Sequence, residues 1–106
     1  MPKLITIYWR DIPAQVIGRA GRDKFNRELH PRFQAAIDRA AMRADRGSSD
    51  AYLDDWRRET ELVEGDVEAL VEARVSALEA AFTEALLETT IKAGGKRPEQ
   101  EEAPGG

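Results

Sequence analysis

The sequence predicts a small α+β domain in which an antiparallel sheet is covered by two main helices. Three observations carry this. A β-branched and aromatic run opens the chain at residues 4–9, an apolar stripe at helical spacing runs over 66–91, and both fit in 106 residues that are 42% hydrophobic and 34% charged. Such a length and composition suit one globular domain with a single core.

Leu4-Ile5-Thr6-Ile7-Tyr8-Trp9 ends before Asp11-Ile12-Pro13 and predicts a strand followed by a turn. Ala14-Gln15-Val16-Ile17-Gly18-Arg19 resumes extended character, and the short connection predicts an antiparallel hairpin of residues 4–9 and 14–19. Gly18 and Gly21 permit a bulge or a turn. From Pro31 the period changes. Phe33, Ile37, Ala40, Ala41 and Ala44 predict a helix over 31–45, with Pro31 at its first position and His30 at its cap. Gly47, Ser48 and Ser49 interrupt the chain, and a short capped helix carrying Tyr52, Leu53 and Trp56 follows.

Thr60-Glu61-Leu62-Val63-Glu64 predicts a third short strand before Gly65. Asp66 reads as an N-cap, and Val67, Leu70, Val71, Val75, Leu78, Phe82 and Leu86 predict one long helix to Ile91. The domain is expected to span 1–93. Residues 94–106, rich in glycine, proline and acid, are expected to be a disordered tail.

With no cysteine, disulfides, thiol nucleophiles and thiolate metal sites are excluded. The apolar run at the start is too short for a signal core or a membrane span, so the expected address is the cytoplasm with no membrane contact. The net charge of −4 conceals an asymmetry: residues 1–58 hold 12 Lys and Arg against 8 acids, and residues 59–106 hold 4 against 12. Either the two halves pair with each other, or a basic surface is offered to an anionic partner.

Groups for catalysis are sparse. His30, the sole histidine, would have to act with Ser48, Ser49 or Ser76, and no serine lies in a nucleophile elbow. Glu64, Asp66 and Glu68 cluster where acids favour a helix start, and the adjacent Asp54 and Asp55 point in different directions around a helix. Neither metal-ligand spacing nor a phosphate-binding glycine pattern occurs. The expectation is a protein that is not an enzyme and that carries neither cofactor nor metal.

The remaining constellation is basic and aromatic. Tyr8 and Trp9 face opposite sides of a strand, so one packs inward while the other can be presented with Arg10, Arg19 and Arg22 as a partner-binding surface. The competing reading makes both rings core, covered by arginine stems. The same arginines, with Lys24, Arg27 and Arg32, support an alternative: a regulatory protein that binds nucleic acid through its basic N-terminal half.

The stretches Ile5-Thr6-Ile7-Tyr8-Trp9-Arg10-Asp11-Ile12-Pro13-Ala14-Gln15-Val16 and Phe33-Gln34-Ala35-Ala36-Ile37-Asp38-Arg39-Ala40-Ala41-Met42 resemble the small bacterial domain family named "virulence factor". That domain also looks like the one appended to helical repeats in conserved virulence factor C. The resemblance covers residues 3 to 90 and brings no catalytic residues with it. It implies a non-catalytic interaction or accessory protein whose partner is another protein. The family context of methylenetetrahydrofolate reductase-like and corrinoid methyltransferase components implies a companion of a one-carbon enzyme. Gly18 departs from the family pattern, where a bulkier strand residue is usual, and this implies an irregular second strand.

Overall fold

The computed structural model describes residues 1–45 and 49–96. In order these form β1 (Lys3–Trp9), β2 (Ile12–Ala20), β3 (Asp23–Glu28), α1 (Pro31–Arg43), α2 (Ser49–Asp54), β4 (Trp56–Leu62), α3 (Val67–Ala81) and α4 (Glu84–Lys92). The chain has the predicted α+β class. Its strands make one antiparallel sheet in the order β3-β2-β1-β4.

Alternation along the strands assigns the two faces. Leu4 and Thr6 of β1 lie opposite Gly18 and Val16 of β2, and this side is covered by helix. A Cβ added at Gly18 would stand 2.4 Å from Val67 Cγ1 and 2.6 Å from Val71 Cγ2, so α3 rests directly on the β2 backbone. Gly18 is therefore a site of close approach, and β2 runs through it without interruption. The irregularity lies earlier: Ile7 pairs with Gln15 but Tyr8 with Pro13, which leaves Ala14 as the bulged residue. Ala14 O accepts the Leu29 N–H at 3.0 Å, and Pro13 is tolerated beside the bulge.

Helix ends follow their side chains. His30 Nδ1 accepts the Arg32 N–H at 3.0 Å, and Asp66 Oδ1 accepts from Glu68 and Ala69, as the cap residues predict. The long helix expected over 66–91 is instead two, because Thr83 caps a new start by accepting the Leu86 N–H at 3.2 Å. The apolar stripe continues through the break. Phe82 is buried and meets Phe33 edge-on at 6.0 Å, while α4 packs along α1. Arg32 Nη2 donates to Glu79 O and Phe82 O and so closes the carbonyl end of α3.

One strand was not anticipated, and one expectation needs correction. Asp23–Glu28 is a strand although its sequence lacks apolar alternation; β2 holds it by pairing, and α3 packs over it. Trp56 belongs to β4 and not to the short helix, and β4 spans Trp56–Leu62 where a strand over 60–64 was expected.

Gly94 and Gly95, expected in a disordered tail, are buried and complete the end of α4. Gly95 N–H donates to Thr90 O at 2.8 Å and Gly94 N–H to Ile91 O at 2.9 Å, with Gly94 at φ 72°. This double bond pattern with a left-handed residue is a Schellman cap. The rest of the expected tail, residues 97–106, and the expected break at residues 47–48 lie outside the described residues.

Substituting Gly18→Ala should lower unfolding free energy by about 1–3 kcal/mol through overpacking, as measured by urea denaturation. The double variant with Val71→Ala should lose less than the sum of the two single changes, since the added methyl would occupy part of the space vacated, while the approach to Val67 Cγ1 remains.

Candidate functional site

The side of the sheet opposite α3 carries three rows of directly opposed residues. They are Lys24, Arg19, Lys3, Leu62; then Asn26, Ile17, Ile5, Thr60; then Glu28, Gln15, Ile7, Arg58. Ile5 and Ile17 are only 6% and 7% exposed, yet they stand apart from the continuous core that joins Leu4, Val16, Phe33, Val71 and Phe82. Lys3, Arg19, Lys24, Asn26, Arg58, Thr60 and Leu62 around them are all exposed. The residues around the isoleucines meet solvent, while the far end of the same face, where Trp9 pairs with Ile12 and Trp56, is closed by Tyr52. Trp56, half-buried, continues the apolar line from Ile7 and touches Tyr52 edge-on at 5.8 Å.

Electrostatics separates the two sides. On the covered side and among the helices, cations are paired: Arg27 with Glu72 at 2.6 Å, Arg39 with Glu88 at 2.7 Å, Arg57 with Glu59 at 3.1 Å and Arg74 with Glu61 at 2.7 Å. The first two join the basic and acidic halves of the chain, as one reading of the charge asymmetry expects. On the open side Lys24, Arg19 and Lys3 stand directly side by side on three neighbouring strands. No ion pair joins any of them to an acid among the described residues. Like charges placed opposite each other across strands are destabilising.

Of the residues expected to bind a partner, Arg19 and Arg22 are exposed at one end of β2 and in the turn that follows. Tyr8, Trp9 and Arg10 lie at the other end, roughly 23 Å away along the strand at about 3.3 Å per residue. The single cluster read from the sequence is therefore two. Trp9 is fully buried, stacked on Tyr52 at 5.9 Å with its Nε1–H donated to Tyr52 O at 2.9 Å. Tyr8 is half-buried beneath the Arg57 guanidinium, 4.6 Å from the ring centroid.

Arg10 is engaged within the fold. Its Nε donates to Asp55 Oδ2 at 3.1 Å, its Nη1 to Gly94 O at 2.9 Å, and its guanidinium lies 5.3 Å from the Trp9 ring. Lys3, Ile5, Ile7, Ile17 and Arg58 were not singled out in the sequence, whereas Lys24 was noted only among the basic residues. The alternation Lys3, Ile5, Ile7 carries the signal, but Lys24 gains its place only once Asp23–Glu28 is known to be a strand.

Other candidate groups are dispersed. His30 caps α1, Ser76 lies exposed on α3, and Asp11 sits at the hairpin tip, at the opposite end of the sheet from Glu64 and Asp66. Among the described residues no three His, Cys, Asp or Glu side chains could hold a metal together, and no helix is long and apolar enough to cross a membrane.

This arrangement defines a two-layer α+β domain, helices over one side of a four-stranded antiparallel sheet and a basic, apolar-centred surface on the other. The chain belongs to the Virulence factor family, whose model matches residues 7–91, from the middle of β1 to the last turn of α4. No curated protein and no solved structure matches it.

Two outcomes follow from the charges. Arg10→Ala should cost about 2 kcal/mol of stability in chemical denaturation, because it removes both the Nε bond to Asp55 and the Nη1 bond to the Gly94 carbonyl. The Arg74 hydrogen bond, and with it the Arg74 charge, holds the Glu61 carboxyl below its ordinary range against the opposing effect of burial. A depressed folded-state value means stability that is present above the unfolded glutamate value and lost as pH falls through the folded one. Thermal midpoints measured across the acid range should therefore fall less steeply for Glu61→Gln than for the native chain.

Proposed function

We propose that this domain is a non-catalytic, cytoplasmic accessory protein that docks an acidic surface of another protein on the open face of its sheet. The observation that supports it is the row Lys24, Arg19, Lys3, which no ion pair joins to an acid among the described residues, bordering the Ile17, Ile5, Ile7 stripe. An apolar centre with a charged rim is the usual anatomy of a protein interface. Three adjacent cations cost stability in the free domain, and an anionic partner would remove that cost on binding.

Isoleucine is a weaker anchor than an aromatic ring, so affinity on this face would come from area and charge together, with Trp56 as the one large ring at its margin. The finer form of the reading follows the family context: the partner is a one-carbon enzyme of the methylenetetrahydrofolate reductase-like or corrinoid methyltransferase kind. Tyr8 and Arg57 lie on the other side of the sheet and Trp9 inside the core, so of the residues first expected to bind, Arg19 and Arg22 carry the proposal.

The test is titration of purified candidate enzymes with the native domain and with the double variant Arg19→Glu, Lys24→Glu, observing backbone amide shifts. Shifts confined to β1, β2 and β3, lost in the variant and weakened by salt, are the expected result. Unchanged affinity in a correctly folded variant would remove this face from consideration. Binding of single-stranded or duplex oligonucleotides through the same residues at low ionic strength would replace the protein partner with nucleic acid.

A further inference from the structure

β4 is an edge strand, and two backbone bonds reveal which way each of its residues directs its hydrogen-bonding groups. Val63 N–H donates to Pro2 O at 3.1 Å, and Arg10 N–H donates to Asp55 O at 3.0 Å. Both bonds extend the β1–β4 register by one residue, beyond Lys3 opposite Leu62 and Trp9 opposite Trp56. Bonded and non-bonded pairs alternate in an antiparallel ladder. Arg57, Glu59 and Glu61 therefore direct their amides and carbonyls toward β1, whereas Trp56, Arg58, Thr60 and Leu62 direct theirs outward. No strand among the described residues pairs with that outward row.

Edges are commonly guarded by proline, a bulge, short length or charged side chains. β4 has neither proline, bulge nor short length: it pairs with β1 over seven residues without a register shift, and its charges, Arg57, Arg58, Glu59 and Glu61, are of both signs and so can pair across an edge. The order of its side chains, Trp56-Arg57-Arg58-Glu59-Thr60-Glu61-Leu62, complements its own reverse.

We propose that two copies of the chain join edge to edge through β4, antiparallel about a two-fold axis at Glu59, so that two four-stranded sheets become one continuous sheet. Trp56 then lies opposite Leu62 of the second copy, Arg57 opposite Glu61, and Arg58 opposite Thr60, with each pair repeated by symmetry. Apolar meets apolar, and cation meets anion or hydroxyl. Leu62 is 64% exposed in the single chain, so the contact covers surface that is otherwise wet.

Glu59 alone meets its own copy, and the Arg57 of each chain already stands 3.1 Å from that carboxylate. Moving the axis to Arg58 would set that arginine against itself, and moving it to Thr60 would set Glu59 against Glu61. The outward amides and carbonyls of Arg58 and Thr60 form the central ladder bonds of the chosen register. A two-fold axis perpendicular to the sheet keeps the open face of both copies on the same side.

The test is molar mass by light scattering and sedimentation over a concentration series up to roughly 1 mM. The native chain should rise from 11.8 kDa toward twice that mass. In Thr60→Pro the missing amide is one that points away from β1, so the internal ladder is spared; in Leu62→Lys a charge replaces the apolar contact. Each should weaken dimerisation by roughly tenfold or more.

Amide exchange provides the positional check. Arg58 and Thr60 should gain protection as concentration rises, and Arg57 and Glu61 should be protected throughout. Should Thr60→Pro fail to fold, Leu62→Lys decides the matter. A monomeric mass across the series, or a dimer unaltered by Leu62→Lys, would overturn the proposal. Arg19 and Lys24 lie on β2 and β3, away from β4, so loss of partner docking and loss of self-association are separately readable.

Discussion

The Arg10 side chain ties together three parts of the chain that are far apart in sequence. From the tip of the β1–β2 hairpin it reaches Asp55 at the start of β4 and the Gly94 carbonyl at the end of α4. Asp11 N–H adds a bond to Gly95 O at 2.9 Å, and Arg57 donates to the Arg10 carbonyl. Arg10 itself holds φ 56°, a left-handed conformation that a side chain adopts only at a cost. The contacts offset that cost, and they place a cation at the carbonyl end of α4, where the helix dipole favours it. Trp9 is enclosed as a consequence: a Cβ on Gly95 would stand 2.8 Å from its ring, leaving room for no other residue there.

The closeness of α3 to Gly18 and the exposure of the other face belong together. One helix layer lies on the Leu4, Val16, Gly18 side, and its charged residues pair with those of the strands beneath it, as Arg74 does with Glu61 and with the Thr6 hydroxyl. Lys3, Arg19 and Lys24, facing the other way, have no such ion pair among the described residues. A domain of this size has little stability in reserve. The row Lys24, Arg19, Lys3 beside the buried Ile5 and Ile17 sets like charges against each other across strands at a cost to the free domain.

Much of the fold was legible because local chemistry and tertiary structure agree. The opening strand, the Pro31 helix start, the His30 and Asp66 caps and the helical stripe after Asp66 all appear where side-chain periodicity places them. Three features were not legible, each for its own reason. Thr83 starts a new helix inside an unbroken apolar stripe, which periodicity cannot detect. Asp23–Glu28 is a strand only because β2 offers it an edge and α3 a cover. Gly94 and Gly95 have the composition of a linker, but their positive φ angles make a helix cap that another part of the chain receives.

The site was legible only in part. Tyr8, Trp9, Arg10, Arg19 and Arg22 share a composition but not a place, since adjacency in sequence says nothing about the length of β2 that separates them. Arg10 and Trp9 drew notice as a basic and aromatic pair, which is also how an internal clamp looks before its partners are known. Lys3, Ile5, Ile7 and Lys24 become a surface once the register is fixed, through contacts between strands that no short window of residues contains.

The bond from Arg10 to Gly94 spans 84 positions of the chain. A polypeptide emerging from the ribosome can form the first hairpin early, but the arginine at its tip waits for residue 94. Until residues 94 and 95 have been synthesised and released, Trp9 lacks its lid and the hairpin its anchor. Closure of this domain therefore waits until residues 94 and 95 have left the ribosome, and a nascent chain stalled short of that point would present the Trp9 ring to chaperones and proteases.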